Sequence, residues 1–221
     1  MRFLGGFLVV FKKINGKNKN NIVSCYFSKS PIGNKKIAMK EDLKTYVHTH
    51  LKSELDIVQR DFSNVLPELL DEYKTLIYKY TDEDDAYNIL INKSLRADSG
   101  LVIPTFAQFL TISLEELPNH EDVVYRGVYL TKRDIERYKI SAIIKEHSFL
   151  SASRSKEIAE TYGNVLFKIF GKTCKLIENI SKFGSKSSDN EREVLFQSGT
   201  SFKVMDKSEQ GHYIIITLRE I

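Results

Sequence analysis

The spacing of the apolar residues changes character near residue 122. Upstream of that point they recur at intervals of three and four residues, which places them on one face of a helix. The clearest series is Leu66, Leu69, Leu70, Tyr73, Leu76, Ile77 and Tyr80. We therefore predict a helical lobe over residues 41–122, with its leucine and aromatic stripes in the core.

Downstream of residue 122, short runs rich in Val, Ile, Tyr and Phe alternate with Gly, Ser, Asn and Asp, as is typical of strands and turns. Brief helices are expected from Thr131 through Tyr138 and from Ser155 to Tyr162. Strands that follow a run of helices indicate an α+β fold. We expect one domain over residues 41–221, with a mainly antiparallel, β-sandwich-like core over residues 123–221. The predicted strands are Val123–Tyr129, His147–Ala152, Val165–Phe170, Thr173–Ile177, Glu193–Gln197, Ser201–Lys207 and His212–Arg219.

Residues 1–40 differ in charge from the rest of the chain. They contain nine Lys and Arg residues and no Asp or Glu. Because the whole chain carries a formal net charge of +4, the remaining residues carry −5. The main body is therefore not a basic platform, and we expect no specific nucleic-acid partner. The basic arm is predicted to be flexible, and it is either a contact for an anionic surface or a solvated lead-in.

Other features restrict the class of protein further. The apolar run Phe3–Phe11 is too short to span a bilayer, and it resembles either part of a signal peptide or an N-terminal strand or hairpin. We expect no transmembrane segment. Two cysteines, Cys25 and Cys174, cannot form a disulfide framework. The five histidines show no metal-ligand spacing, so we expect no metal.

An acidic pair precedes one of the predicted strands. Glu191 and Glu193 flank Arg192 just before the apolar run Val194–Phe196. On a strand, both carboxylates would point the same way, roughly 6.5–7 Å apart. Fold stability gives little reason for such a pair, because like charges repel. A site that must take a proton and stabilise a developing cation does give a reason, although a solvated strand face is the simpler alternative.

Two polar features lie on predicted strands upstream. Arg126 interrupts an apolar strand and needs either an anionic ligand or a structural carboxylate partner. Gly127 beside it allows a ligand or a backbone segment to approach. Ser151 and Ser153 alternate to one face of another strand end, where their hydroxyls either bind a carboxylate or amide or simply form a turn.

The order of these features resembles a known family. Arginine, then Ser-x-Ser after about 25 residues, then Glu-x-Glu after about 40 more, is similar to the arginine–serine–glutamate class of arginine-specific mono-ADP-ribosyltransferases. This class includes bacterial toxins, phage modifying enzymes and vertebrate enzymes. The resemblance covers roughly residues 65–221 and departs at Ala152, where the family has Thr. The matching segments are Tyr125–Gly127, Phe149–Ser153, Ile180–Ser181, Glu191–Leu195 and Gly199–Val204.

The resemblance implies roles for individual residues. Arg126, with Gly127 beside it, would hold the NAD phosphates, and Ser151 would order the nicotinamide pocket. Glu193 would stabilise the oxocarbenium-like state as nicotinamide leaves, and Glu191 would orient and deprotonate an acceptor guanidinium. The two aromatic residues assigned to the site are Phe183, in the loop of residues 181–190 that would meet the acceptor, and Tyr162, which would stack on nicotinamide.

The resemblance also implies an activity. We expect transfer of ADP-ribose from NAD to arginine side chains of a target protein, with NAD as co-substrate and no metal. NAD glycohydrolase activity and an inactive binding module of the same fold are the alternatives. We expect a monomer that acts either as a secreted or delivered bacterial effector or toxin, or as a phage enzyme in the host cytoplasm.

Overall fold

The computed structural model describes residues 32–82, 87–97, 99–211 and 213–221. The run Phe3–Phe11 and Cys25 lie outside these residues. The predicted helical lobe is confirmed: within the described residues, five helices precede the main strands. These are α1 (Ile32–His50), α2 (Lys52–Asp61), α3 (Asp71–Tyr80), α4 (Tyr87–Ala97) and α5 (Thr105–Glu115). None of the helices in the described ranges has the length and apolarity that a membrane crossing requires.

Helix α3 is shorter than the apolar spacing predicts. It begins at Asp71, and Leu66 has a φ of +48°, which an α-helix cannot contain. The Leu69 amide donates to the Leu66 carbonyl, so this segment forms turns that lead into the helix. Leu66 and Leu69 therefore pack on the core from a loop, whereas Leu70 is 43% exposed, so the helix-like spacing was misleading here.

The boundary expected between arm and domain falls inside a helix. Helix α1 runs from Ile32, so the last residues of the basic arm are helical. Leu43 and Val47 on this helix are fully buried in the core of the helical lobe. The division of the chain at residue 40 stays a prediction, because residues 1–31 are not described.

The second half forms a mainly antiparallel sheet, as predicted. Its strand order is β1-β6-β7-β4-β2-β5-β9-β8-β3, in which only β5 and β9 are parallel. The strands are β1 (Asn119–His120), β2 (Val123–Val128), β3 (Ile143–Lys145), β4 (Leu150–Ser153), β5 (Val165–Phe170), β6 (Cys174–Leu176), β7 (Glu193–Phe196), β8 (Ser201–Gln210) and β9 (Tyr213–Glu220). Strands β1 and β3 were not predicted, because two or three residues are too few to show an alternating pattern.

The sheet folds back on itself. Phe196 on β7 and Phe202 on β8 lie five positions apart in the strand order. In a flat sheet that separation would be roughly 24 Å. Their ring centroids are 5.2 Å apart in an edge-to-face contact. The two halves of the sheet therefore face each other around a shared apolar core, which is the sandwich-like arrangement predicted from the sequence.

The two brief helices predicted in the second half are present and begin at side-chain caps. Helix α6 (Lys132–Ile135) begins after Thr131, whose side chain and Asp134 form a reciprocal capping box. Helix α7 (Lys156–Glu160) begins after Ser155, whose hydroxyl accepts from the Ile158 amide. Helix α7 directly follows β4, so it continues the chain from the predicted serine motif.

Strands β4 and β7 join the two lobes. Phe149 beside β4 and Leu195 on β7 belong to the core of the helical lobe. Ala152 and Val194, their opposite-facing neighbours, belong to the core of the sheet. Ala152 thus points into the sheet core, as strand alternation predicted. Polar side chains at the ends of β4 and β7 lie where the two cores meet.

Candidate active site

Glu193 is the most enclosed of the predicted site residues. It is the first residue of β7 and only 7% exposed. Its Oε1 accepts a hydrogen bond from the Ser151 hydroxyl, and its Oε2 accepts one from the Ser181 hydroxyl at 3.0 Å. Burial raises the pKa of Glu193 to about 7, against the opposing effect of the two hydroxyls. A glutamate with this pKa is poised between its charged and neutral forms at neutral pH.

Strand pairing brings Ser151 to Glu193. Strand β4 pairs antiparallel with β7, with Ser153 opposite Glu193. Ser151 lies two residues along the same face, from which its hydroxyl reaches the carboxylate. Ser153 has a different role from that of Ser151: its hydroxyl donates to the Glu191 carbonyl at 2.7 Å. The Ser-x-Ser motif therefore holds one acidic residue by its side chain and the other by its backbone.

Arg126 lies on β2, the strand next to β4. Its Nη1 donates to the Ser151 carbonyl oxygen at 2.5 Å. None of the ion pairs in the described parts of the chain includes Arg126, so the alternative of a structural Arg–Glu pair is not observed there. Burial lowers the pKa of Arg126. A partly buried guanidinium without a carboxylate partner is suited to an anionic ligand.

At Gly127, strand β2 lies in close contact with the backbone of another segment. A Cβ at this position would lie 1.9 Å from the Ala159 carbonyl oxygen and 2.3 Å from that of Tyr162. No side chain fits there, because the end of α7 passes directly over the strand. Of the two sequence interpretations, close backbone approach is the one observed, and a direct contact with NAD stays a prediction.

Glu191 does not lie on a strand, which corrects the first argument for the acidic pair. Strand β7 begins at Glu193, and the intervening Arg192 has a φ of +51°. Strand alternation therefore does not relate the two carboxylates. Glu191 lies at the end of the loop of residues 181–190, where its carboxylate accepts a hydrogen bond from the Tyr162 hydroxyl at 2.7 Å.

Tyr162 and Phe183 each make a hydrogen bond with Glu191. Tyr162 is 50% exposed and follows α7. Phe183 is partly buried, and its carbonyl accepts from the Glu191 amide at 2.9 Å. Stacking of Tyr162 on nicotinamide and contact of Phe183 with an acceptor stay predictions. What the structure adds is that the Tyr162 hydroxyl already binds Glu191.

Sequence reasoning missed several contacts. Ser181 was not assigned a role, although Ile180–Ser181 is one of the segments that match the family. Asn92 on α4 accepts from the Phe149 amide at 3.2 Å and donates to the Tyr80 hydroxyl at 2.9 Å. This residue ties the helical lobe to the start of β4. In the described ranges, no cluster of three His, Cys, Asp or Glu residues is arranged to hold a metal ion.

The arrangement combines three kinds of group in one region. A guanidinium can bind phosphate, a buried carboxylate can stabilise positive charge, and a second, more accessible carboxylate can receive a proton from a nucleophile. This set is suited to breaking a glycosidic bond to a good leaving group and passing the sugar to a nucleophile.

Comparison with solved structures identifies the class of fold. The type III effector XopAI from Xanthomonas axonopodis pv. citri has a TM-score of 0.63 at 21% identity, over 83% of this chain and 88% of that one. Exoenzyme S from Pseudomonas aeruginosa, solved with human 14-3-3 protein beta and carba-NAD, has a TM-score of 0.64 at 17% identity, over 83% and 88%. At such identities the likeness shows the ADP-ribosyltransferase fold.

Sequence comparison identifies the family. The family model for NAD:arginine ADP-ribosyltransferases matches residues 32–221. The NAD(+)–protein-arginine ADP-ribosyltransferase Tre1 of Serratia proteamaculans strain 568 is 30% identical over 155 residues, which is 69% of this chain and 33% of that protein. The chain belongs to the NAD:arginine ADP-ribosyltransferase family of enzymes. It spans about a third of the length of this relative.

Proposed function

We propose that this chain transfers ADP-ribose from NAD to an arginine side chain of a target protein and releases nicotinamide. The observation that carries the proposal is the partly buried Arg126, which lacks a carboxylate partner in the described residues and lies one strand from Ser151. That guanidinium offers a site for the NAD pyrophosphate. Glu193, held by two hydroxyls, then lies where a carboxylate is needed beside the ribose.

The chemistry assigns different steps to the two carboxylates. Loss of nicotinamide builds positive charge on the ribose, and ionised Glu193 stabilises that charge. Ser151 and Ser181 fix its two oxygens, so that the carboxylate does not reorganise as the bond breaks. Glu191 binds the incoming guanidinium and takes the proton that its nitrogen loses when the new bond forms. A base is needed at that step because the pKa of free guanidinium is above 12.

Glu191 is placed to receive an acceptor. One of its carboxylate oxygens is held by Tyr162, and the other has no hydrogen-bond partner among the described residues. The latter oxygen can accept an N–H from a guanidinium. Phe183, in the loop that ends at Glu191, provides an apolar surface for the acceptor protein.

The biological setting follows the same comparisons. We propose delivery into a target cell as an effector or toxin, since one structural neighbour is described as a type III effector. A monomeric enzyme that uses NAD without a metal remains part of the proposal. The identity of the acceptor protein depends on the accessible loop around Phe183.

The test is to incubate the purified chain with radiolabelled NAD and agmatine, a small arginine analogue. Release of nicotinamide together with labelled agmatine supports the transferase. Release of nicotinamide with no labelled agmatine and no labelled protein in a cell lysate would instead establish a glycohydrolase. No release of nicotinamide under either condition would establish an inactive module. Mass spectrometry of labelled lysate proteins then identifies the modified residue, and modification of a residue other than arginine would contradict the proposal.

A further inference from the structure

A buried glutamate outside the acidic pair organises the loop that ends at Glu191. Glu178 is only 8% exposed, and it lies before the loop of residues 181–190. Its Oε2 accepts a hydrogen bond from Arg154, which follows β4, and its Oε1 accepts one from the Asn190 amide group at 2.8 Å. Both oxygens of this carboxylate are therefore occupied, and the mechanism above gives Glu178 no chemical role.

The loop is closed at its base around Glu178. The Ser185 amide donates to the Glu178 carbonyl at 3.0 Å. A Cβ on Gly184 would lie 1.7 Å from that same carbonyl, so the loop backbone passes directly against it. Burial acts to raise the pKa of the Glu178 carboxyl, but the hydrogen bonds from Asn190 and Arg154 and the charge of Arg154 together lower it. Glu178 is thus tied to the middle of the loop through its carbonyl and to the end of the loop through its carboxylate.

Asn190 links this anchor to the turn between the two acidic residues. Its amide nitrogen donates to Glu178, and its Oδ1 accepts from the Arg192 backbone amide at 2.9 Å. Arg192 adopts the left-handed conformation, with φ +51°, which is strained for a residue other than glycine. The Arg192 carbonyl is held in turn by the Arg154 amide at 3.0 Å. Hydrogen bonds therefore hold both the amide and the carbonyl of Arg192.

We propose that Asn190, anchored by Glu178, is a positioning residue for Glu191: by stabilising the left-handed turn at Arg192 it sets where the Glu191 carboxylate stands relative to Glu193. This inference rests on the proposed function, since it assigns Glu191 to acceptor activation. Glu193 lies on a strand and is held by Ser151 and Ser181, so its position does not depend on Asn190. The hydrogen bonds of Glu178 and Asn190 are therefore expected to affect the transfer of ADP-ribose but not the cleavage of NAD.

The test compares two rates in each variant: nicotinamide release without acceptor, and ADP-ribose transfer to agmatine. Asn190→Ala removes both hydrogen bonds of the side chain. We expect transfer to fall about tenfold while hydrolysis stays within about twofold, because a small displacement of the base affects only the step it serves. Asp189→Ala is the matched control, since the Asp189 side chain is exposed and makes no hydrogen bond in the described residues.

A rescue variant separates positioning from a general loss of structure. Glycine adopts positive φ without strain, so Arg192→Gly no longer needs Asn190 to hold the turn. We expect the double variant Asn190→Ala with Arg192→Gly to transfer within about threefold of Arg192→Gly. Glu178→Gln, which keeps the side-chain shape, should shift the ratio of transfer to hydrolysis in the same direction as Asn190→Ala.

Three outcomes would overturn the inference. One is an unchanged ratio of transfer to hydrolysis in Asn190→Ala, and another is an equal fall in both rates. The third is a double variant that remains as impaired as Asn190→Ala. Glu191→Ala in the same assay distinguishes this failure from failure of the proposed function. If Glu191→Ala transfers normally, the role of Glu191 is wrong; if it loses transfer and Asn190→Ala does not, only the positioning role is wrong.

Discussion

Glu193 and Glu191 are two residues apart in the chain but occupy different kinds of environment. Glu193 begins a strand, is buried, and has both carboxylate oxygens held by serine hydroxyls. Glu191 ends a loop, is partly exposed, and has one oxygen held by Tyr162. The first environment is built for a fixed electrostatic task. The second leaves an oxygen available for a molecule that arrives from solvent.

The difference indicates how one site can serve two steps. Bond cleavage benefits from a carboxylate that is already oriented and desolvated, since no reorganisation is then needed. Acceptor binding needs an accessible group on a segment whose sequence can differ without disturbing the sheet. The left-handed Arg192 separates the two environments, because it ends the loop before the strand begins.

The largest effect is expected from replacing the buried carboxylate. Glu193→Gln keeps the side-chain shape but removes the charge that we propose stabilises the ribose cation. We expect nicotinamide release and transfer to agmatine both to fall on the order of 1,000-fold. Steady-state rates of the two products measure this, and a variant that keeps either activity within tenfold would remove Glu193 from the proposed mechanism.

The thermal stability of Glu193→Gln serves as the control for this experiment, because it shows whether the variant is still folded. The folded-state pKa of Glu193 is about 7, above the ordinary value of 4.5. A raised pKa contributes stability that is present below pH 4.5 and is lost as the pH rises through 7. The neutral Glu193→Gln avoids that loss, so we expect its melting temperature at pH 8 to equal or exceed that of the wild type. A lower melting temperature would mean that the lost activity reflects lost structure.

The next largest effect should separate the two activities. We expect Glu191→Ala to reduce transfer to agmatine about 100-fold, because the base for the guanidinium is lost. NAD hydrolysis should stay within about threefold, since Glu193 and its two serines are untouched. The measurement is the ratio of labelled agmatine to nicotinamide. Equal transfer by wild type and variant would refute the assignment of Glu191.

The environment of Glu193 also predicts a pH dependence. Because the ionised form is the active one in the proposed mechanism, kcat/KM for NAD hydrolysis should rise about tenfold per pH unit below pH 7 and level off above it. A profile measured from pH 5 to 9 tests this. In Glu191→Ala the rise should persist with its midpoint at a lower pH, because the neighbouring Glu191 charge helps to raise the pKa of Glu193. A flat profile in the wild type would contradict the role of the buried carboxyl.

The smallest effect is expected at the hydroxyl that holds Glu191. Tyr162→Phe keeps the ring and removes the hydrogen bond, so transfer should fall about threefold while hydrolysis is unchanged. If the ring also stacks on nicotinamide, Tyr162→Ala should raise KM for NAD in addition. Transfer by Tyr162→Phe at the wild-type rate would show that the hydrogen bond has no part in orienting Glu191.

The sequence was most informative where a single residue pattern extends through a whole strand or helix. Runs rich in Val, Ile, Tyr and Phe located β2, β5 and β9 to within about a residue, and α6 and α7 lie within the two segments predicted to be brief helices. Leu66 and Glu191 were misplaced for a common reason. Each lies next to or at a residue with positive φ, at which the chain turns while the residue pattern continues. A local pattern does not reveal such a turn when the residue is not glycine.

The sequence by itself determined the α+β class, the order of the lobes, the family, and the identity of the arginine, serine and glutamate residues that we assign to the site. Those properties depend on local periodicity and on residue types at fixed spacings. Only the tertiary structure decided that Ser181 shares Glu193 with Ser151, that Arg126 has no carboxylate partner in the described residues, and that Glu178 anchors the loop of Glu191. These contacts join segments that lie far apart in the chain or inside irregular loops, where burial and hydrogen bonding depend on the whole fold.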